Sequence, residues 1–316
     1  MEFKKINEID AGEKLDGFYL IKSLELKTSS NNKKYLDLNL CDNTGEINAK
    51  LWEYEEGDET KYTSSSLVKV RGGVTLWNNT LQLKIEKIRE ANSQDKLNIE
   101  DFVPVAPLQA DFMYHEILKY ADNMMNISIK NIVLTILKEK QSKLMHYPAA
   151  KKNHHAIKSG LLYHVLTMLH AGEKLCEVYT SLNKDLLYAG IILHDIAKLE
   201  EMEANELGIV SEYTVEGQLL GHITQGIKKL ELVAEAVGAD KETTMLLQHM
   251  ILSHHYEPEY GSPIKPMFPE AELLHHLDII DARMYDMKRV TSEVEAGSFS
   301  EKVYSLDNRK IYKPSV

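Results

Sequence analysis

Only two cysteines, Cys41 and Cys176, occur among 316 residues, and they form no C-x-x-C pair. That is too few for a disulfide framework and points to a reducing compartment. No apolar run approaches the roughly 18 residues that a membrane helix needs. The opening residues Met1 to Glu8 also lack the apolar core of a signal peptide, so a cytoplasmic protein with no membrane partner is expected. Basic residues are outnumbered: 37 Lys and Arg stand against 48 Asp and Glu, a formal charge of −11. Indiscriminate polyanion binding is thereby disfavoured. The deficit is uneven, 15 against 18 in residues 1–100 and 22 against 30 beyond. Bound divalent cations would offset part of the second deficit. No internal repeat or low-complexity tract is present. What remains is ordinary globular composition, 43% hydrophobic and 27% charged, in a chain long enough for two domains of about 150 residues each.

From Gly17 to about Glu90, apolar and polar residues alternate, as in Tyr35-Leu36-Asp37-Leu38-Asn39-Leu40 and Leu81-Gln82-Leu83-Lys84-Ile85. That is the period of half-buried strands. Five runs result, near 17–28, 34–41, 46–52, 66–76 and 80–90. Asp42-Asn43-Thr44-Gly45 and Trp77-Asn78-Asn79-Thr80 are hairpin candidates, and Gly72-Gly73 marks a bulge or bend. Five short strands with a looser segment at 53–65 predict a small OB-type barrel, with an SH3-like barrel close behind. Residues 91–110 lose periodicity and gain Pro104 and Pro107, so a linker is placed there between domain 1–90 and domain 111–292. The second domain reads as all-α. Apolar spacings of three and four predict helices over 127–144, 161–178, 186–203, 219–237, 241–253 and 270–290. Residues 293–316 form a polar tail with no assignable fold.

Within the helical part, His164, His194 with Asp195, His222, His254 with His255, and Asp278 follow one another at gaps of 30, 27, 32 and 23 residues. Each gap is about one helix plus a connection, so the side chains are expected to converge from different helices. Imidazole nitrogen mixed with carboxylate oxygen suits Mn, Fe, Co or Zn rather than an all-oxygen cage. Asp195 is the natural bridge between two ions, because a carboxylate has two oxygens. It also follows the apolar run Ala189 to Leu193, where burying His and Asp without partners would be costly. Lys198 lies three and four residues beyond the pair, on one helix face with it, and offers an ammonium to a phosphate oxygen; a surface ion pair with Glu201 or Glu203 is the plainer alternative. Asp281 shares a helix face with Asp278, and spacing alone does not choose between them.

The series His164, His194-Asp195, Asp278 matches the H…HD…D pattern of the HD superfamily of metal-dependent phosphohydrolases. More narrowly, the chain resembles the YhaM family of 3′-5′ exoribonucleases. The resemblance rests on a barrel followed by Gly160-Leu161-Leu162-Tyr163-His164, Leu220-Gly221-His222-Ile223, Ile251-Leu252-Ser253-His254-His255 and Leu277-Asp278-Ile279-Ile280-Asp281-Ala282, and it spans nearly the whole chain. Tyr256-Glu257-Pro258 departs from the signature of HD-GYP phosphodiesterases. The resemblance implies one metal held by His164, His194, Asp195 and Asp278, with Asp278 preferred to Asp281. A second would share Asp195 and add His222, His254 and His255. Two divalent ions are expected, Mn first, with Fe, Co or Zn as alternatives. Asp195 and Lys198 would carry the catalysis, releasing nucleoside 5′-monophosphates from the 3′ end of single-stranded RNA and, as a further option, single-stranded DNA; a homo-oligomer is compatible with either.

For substrate contacts the candidates are Lys198, His155 in the Lys-flanked segment 151–155, Arg71 and Trp77. Phe18, Tyr19, Tyr35, Trp52 and Tyr54, interleaved with Lys33, Lys34, Lys50 and Lys69, are further stacking candidates, since aromatic platforms in a basic groove hold single strands without reading sequence. For 154–155 a solvated loop is the alternative; His275 and His276 are adjacent to Asp278, and His115, His146, His170 and His249 read as structural. Two rival functions remain: an HD phosphohydrolase of free nucleotides or small phosphodiesters, and a non-catalytic nucleic-acid-binding protein.

Overall fold

The computed structural model describes residues 4–78, 80–151 and 154–316. The chain divides into two compact units, Met1–Pro104 and Val105–Val316.

The first unit is a closed barrel. Its strands are β1 (Lys14–Thr28), β2 (Lys34–Asp42), β3 (Gly45–Leu51), β4 (Leu67–Trp77) and β5 (Thr80–Glu90), with a single-turn α1 (Asp58–Lys61) between β3 and β4. Around the barrel the order is β1-β2-β3-β5-β4, and the β3–β5 pairing is parallel. This is the expected OB arrangement. Successive strand residues face opposite sides, so Leu36, Leu38 and Leu40 turn inward onto Ile47, Ala49 and Leu51 and the core fills with aliphatic side chains. Asp42 is buried at the β2–β3 turn, where Oδ1 accepts from the backbone of Thr44 and Gly45 and Oδ2 from Ile6. The expected bulge is present between Arg71 and Gly72. There a Cβ on Gly72 would lie 2.1 Å from the Lys84 carbonyl oxygen, so only glycine lets the two strands approach. Asn79 of the second hairpin lies outside the described residues.

The stretch expected as a linker is folded in part. Asn43 N donates to Asp101 O and Lys5 pairs with Asp101, which ties the segment to the barrel. At its other end Ala106 N donates to Lys158 O in the second unit.

The second unit is built from α2 (Ala110–Asp122), α3 (Ile127–Leu144), α4 (Gly160–Val178), α5 (Lys184–Leu193), α6 (Lys198–Glu201), a small hairpin β6 (Met202–Ala204) and β7 (Val210–Tyr213), α7 (Val215–Val237), α8 (Lys241–Ser253) and α9 (Pro269–Ser292). Asn183 caps α5 through Leu186 N, and every residue from Leu186 to Leu193 is buried, which makes α5 the central helix. Here the sequence expectation of one helix over 186–203 is corrected: α5 ends at Leu193, and residues 194–197 form turns before the short α6. The apolar pattern continues through Ile196, Ala197 and Leu199, all buried, so periodicity alone could not reveal the break. Helix α2 was not among the expected elements. The tail folds as a hairpin, β8 (Phe299–Val303) with β9 (Arg309–Tyr312). No helix among the described residues is long and apolar enough to cross a membrane.

Candidate metal centre

The ends of α5 and α8 present their histidines in the same way. His194 and His254 are the residues that terminate these helices, and each Nδ1 donates to a carbonyl of the last turn, Ile191 O at 2.8 Å and Ile251 O at 2.7 Å. Those carbonyls have no helical donor of their own. The bond fixes the tautomer, leaving Nε2 bare on the side facing the centre. The turn after α5 also frees Asp195 from the rotation of about 100° per residue that a continuous helix would impose, and it lies beside His194 with Nε2 to Oδ2 at 3.3 Å.

His164, on the second turn of α4, is fully buried. Its Nε2 lies 3.4 Å from His194 Nε2, 3.4 Å from Asp278 Oδ1 and 3.9 Å from Asp195 Oδ2. Its Nδ1 donates to Asp281 Oδ2 at 2.7 Å. The two carboxylates of α9 are thus separated by role: Asp278 stands at the nitrogen facing the centre, Asp281 at the one behind it. On the other side of Asp195, Oδ1 lies 3.4 Å from His222 Nε2 and 3.8 Å from His254 Nε2, and donor atoms of Asp195, His222, His254 and His255 all lie within 4.8 Å of one another. His255 Nδ1 donates to Tyr260 O. His222 follows a kink at Gly221, whose φ of 67° and ψ of 164° leave the helix. Glu201 Oε1 accepts both His222 N and His222 Nδ1, at 3.1 and 3.2 Å.

Charges follow the geometry. Burial alone would raise the Asp195 carboxyl, yet Lys198, His194 and His222 hold it well below the usual range. Burial, with His255 and His194 adding to it, keeps His254 neutral. His164 is the exception: burial opposes its protonation, but hydrogen bonds to Asp278 and Asp281 push it up to about 10. Without another cation, a proton takes that position between two carboxylates. The test of whether divalent ions fit is direct. Asp195 Oδ1, His222 Nε2 and His254 Nε2 are buried with no hydrogen-bond partner, and such orphans are costly unless something fills them. Donors about 2.1 Å from an ion lie roughly 3 Å or more apart, which these separations match. The residues present therefore fit divalent metal.

Several expectations are revised. Lys198 is largely buried, and its ammonium is 2.6 Å from Asp195 Oδ2 rather than on a surface pair with Glu201. His155, expected as a substrate contact, is not in a solvated loop: it is 1% exposed, with Nε2 donating to Asp281 Oδ2 at 2.7 Å and its ring 4.0 Å from that of Tyr285. His154 stands beside His164 instead. Lys152 and Asn153 lie outside the described residues. Glu201 was missed as a partner of His222, because no local spacing announces a contact across 21 residues. His275 Nδ1 donates to His254 O, behind that ring.

On the barrel, Tyr19 is core, and Phe18 is buried beneath Lys69 and Arg89, each 5.5 Å from its ring. Tyr35 and Trp52 stack on the outer face with ring centroids 4.4 Å apart, and Lys50 lies over both rings. Beside them Asn48 links Asp37 to Gln82. Trp77 is 65% exposed, while Arg71 is paired with Asp16 through Nε and Nη2.

Fold and centre together define a metal-dependent HD-domain hydrolase joined to an OB-fold unit. The HD domain model matches residues 161–283, and that of an OB-fold nucleic acid binding domain matches residues 21–91. The 3′-5′ exoribonuclease YhaM of Bacillus subtilis (strain 168) is 42% identical over 306 residues, 97% of this chain and 96% of its own length. The protein of that name from Geobacillus sp. (strain WCH70) is 43% identical over 311 residues, 98% and 95%. That from Bacillus pumilus (strain SAFR-032) is 41% identical over 312, 99% and 98%. The chain belongs to the YhaM family of 3′-5′ exoribonucleases.

Proposed function

We propose that this chain removes nucleoside 5′-monophosphates from the 3′ end of single-stranded RNA, and of single-stranded DNA as a second substrate, with two divalent ions for which Mn is the first choice. The observation that carries the reading is Asp195, whose two oxygens face separate sets of donors. His164, His194, Asp195 and Asp278 would hold one ion, and Asp195, His222, His254 and His255 the other. Bound there, the ions supply Lewis acidity to the scissile phosphate and to the attacking water.

The chain's own residues do the rest. Ring nitrogens locked by Ile191 O, Ile251 O, Asp281, Glu201 and Tyr260 O keep five imidazoles aimed before substrate arrives, so little reorganisation accompanies the reaction. Lys198, raised in pKa by Asp195 against the pull of burial, stays charged; it would balance the carboxylate and contact a non-bridging phosphate oxygen. On the barrel, the Tyr35–Trp52 stack under Lys50 would take bases and backbone, with Trp77 as a further platform. Arg71 would contribute only by exchanging Asp16 for a phosphate. A free Cys41 and Cys176 agree with a reducing, cytoplasmic setting.

The test is a labelled single-stranded RNA incubated with the full chain in Mn and in chelator, beside free nucleotides and a 3′-phosphorylated RNA. Stepwise release of 5′-monophosphates from the 3′ end, abolished by chelator, is expected. Turnover of free nucleotides alone would replace the nuclease reading with that of a small-nucleotide hydrolase.

A further inference from the structure

The segment before α4 brings an eighth histidine or carboxylate residue to the centre. A donor nitrogen of His154, one of His164 and an oxygen of Asp278 all lie within 4.8 Å of one another, and the His154 and His164 ring centroids are 5.6 Å apart. His154 belongs to neither of the two donor sets above. We infer that His154 is a further protein ligand of the ion held by His164, His194, Asp195 and Asp278, an assignment that rests on the two-metal reading.

Its neighbour explains how a residue outside any helix holds that position. His155 has a left-handed φ of 52°, a conformation that a side chain larger than glycine adopts only when its surroundings impose it. Here they do. Its carbonyl accepts from Ala149 N, and it passes so near the start of α4 that a Cβ on Gly160 would lie 2.0 Å from the His155 oxygen. Its ring is held by Tyr285 and by Asp281 Oδ2, the same oxygen that receives His164 Nδ1. One carboxylate therefore fixes His164 and, through His155, the backbone that carries His154. A ligand on so constrained a segment is pre-positioned rather than recruited.

The consequence is that the two ion positions differ. With His154 the first has five protein donors, leaving an octahedral ion one open place; the second has four, leaving two. The first position then serves mainly to hold, and the second has the greater room for water and phosphate oxygens. Divalent ions should accordingly bind in two resolved steps.

The experiment titrates the metal-free full chain with MnCl2, reading free Mn by electron paramagnetic resonance and heat by calorimetry. Replacing His154 by Ala is expected to weaken one step by about 10- to 100-fold, the scale of losing a metal-supporting group, and to leave the other unchanged. Far-ultraviolet circular dichroism of the metal-free proteins should superimpose. His154→Gln, which keeps bulk and offers only an amide, should shift the same step in the same direction by less, and it carries the test if the alanine variant is poorly folded. Both steps unchanged in both variants would overturn the assignment, and a raised KM for RNA on that background would make His154 a substrate contact. If the parent chain binds a single ion, the two-metal reading fails, and His154 is then judged by whether that one step weakens.

Discussion

The barrel and the helical unit solve burial in opposite ways. Among the described residues the barrel's interior is aliphatic and aromatic, and its one deeply placed charge, Asp42, has backbone donors for both oxygens. The helical unit is built around His164, His194, Asp195 and His254, none more than 2% exposed. Among the described residues, all five buried polar side-chain atoms left without a hydrogen bond belong to this unit, and three of them are Asp195 Oδ1 and the His222 and His254 nitrogens that face it. A barrel of the first kind is complete as folded. A centre of the second kind is complete only with cations, which locates the chemistry in the helices and leaves the barrel to hold substrate.

The sharpest way to break that division is Asp195→Asn. Loss of one oxygen and of the charge of the carboxylate that both donor sets share should lower the rate of hydrolysis by about a thousandfold or more. Binding of single-stranded RNA measured in chelator should be unchanged, because the barrel is untouched. Comparable loss of both would mean that the two units do not divide the labour. Lys198→Met comes next: a fall of roughly ten- to a thousandfold in kcat at unchanged metal content is expected if the ammonium meets the reacting phosphate. An unaltered kcat would reduce Lys198 to a counter-charge for Asp195.

Trp52→Ala addresses the other side of the comparison. Loss of a base-stacking platform should raise KM for RNA by about 5- to 150-fold, corresponding to roughly 1 to 3 kcal/mol. Hydrolysis of a small activated phosphodiester should be unaffected. Part of the RNA-binding deficit of Lys50→Ala beside it should vanish at high salt. The smallest effect is thermal. Each ion at about a hundred times its Kd contributes roughly 2.7 kcal/mol, so chelation should lower the melting of the helical unit by about 5 to 10 °C for each ion removed. Hydrogen exchange in β2 and β3 should not change, and a barrel that melted with the metal would contradict its independence.

Legibility in the sequence followed the same division. Strands β2, β3, β4 and β5 lie close to their alternating runs, and the Gly72 bulge was visible as a glycine pair, since strand period and turn chemistry are local. Helices α3 and α8 match their apolar spacing to the residue. What failed depended on distant partners. Residues 194–197 carry a helical apolar pattern but turn because His194 and Asp195 face a centre assembled from four other helices. His155 reads as a polar loop residue, and it is buried only because Asp281 arrives from 126 residues away. The plainer alternative for Lys198, an ion pair with Glu201 one turn on, is not what forms: Lys198 turns back to Asp195 and Glu201 reaches His222. Helix α2 carried an apolar signal, with Met113, Tyr114, Ile117 and Ala121 on one face, but followed directly on prolines that suggested loop.

In the proposed centre Asp195 joins two ions. Titrating the metal-free full chain with MnCl2 while following both bound Mn and release of nucleoside 5′-monophosphate tests it most directly. Two ions bound per chain, with activity rising only as the second is taken up, is the predicted result. Full activity at one ion per chain, or in excess chelator, would contradict it.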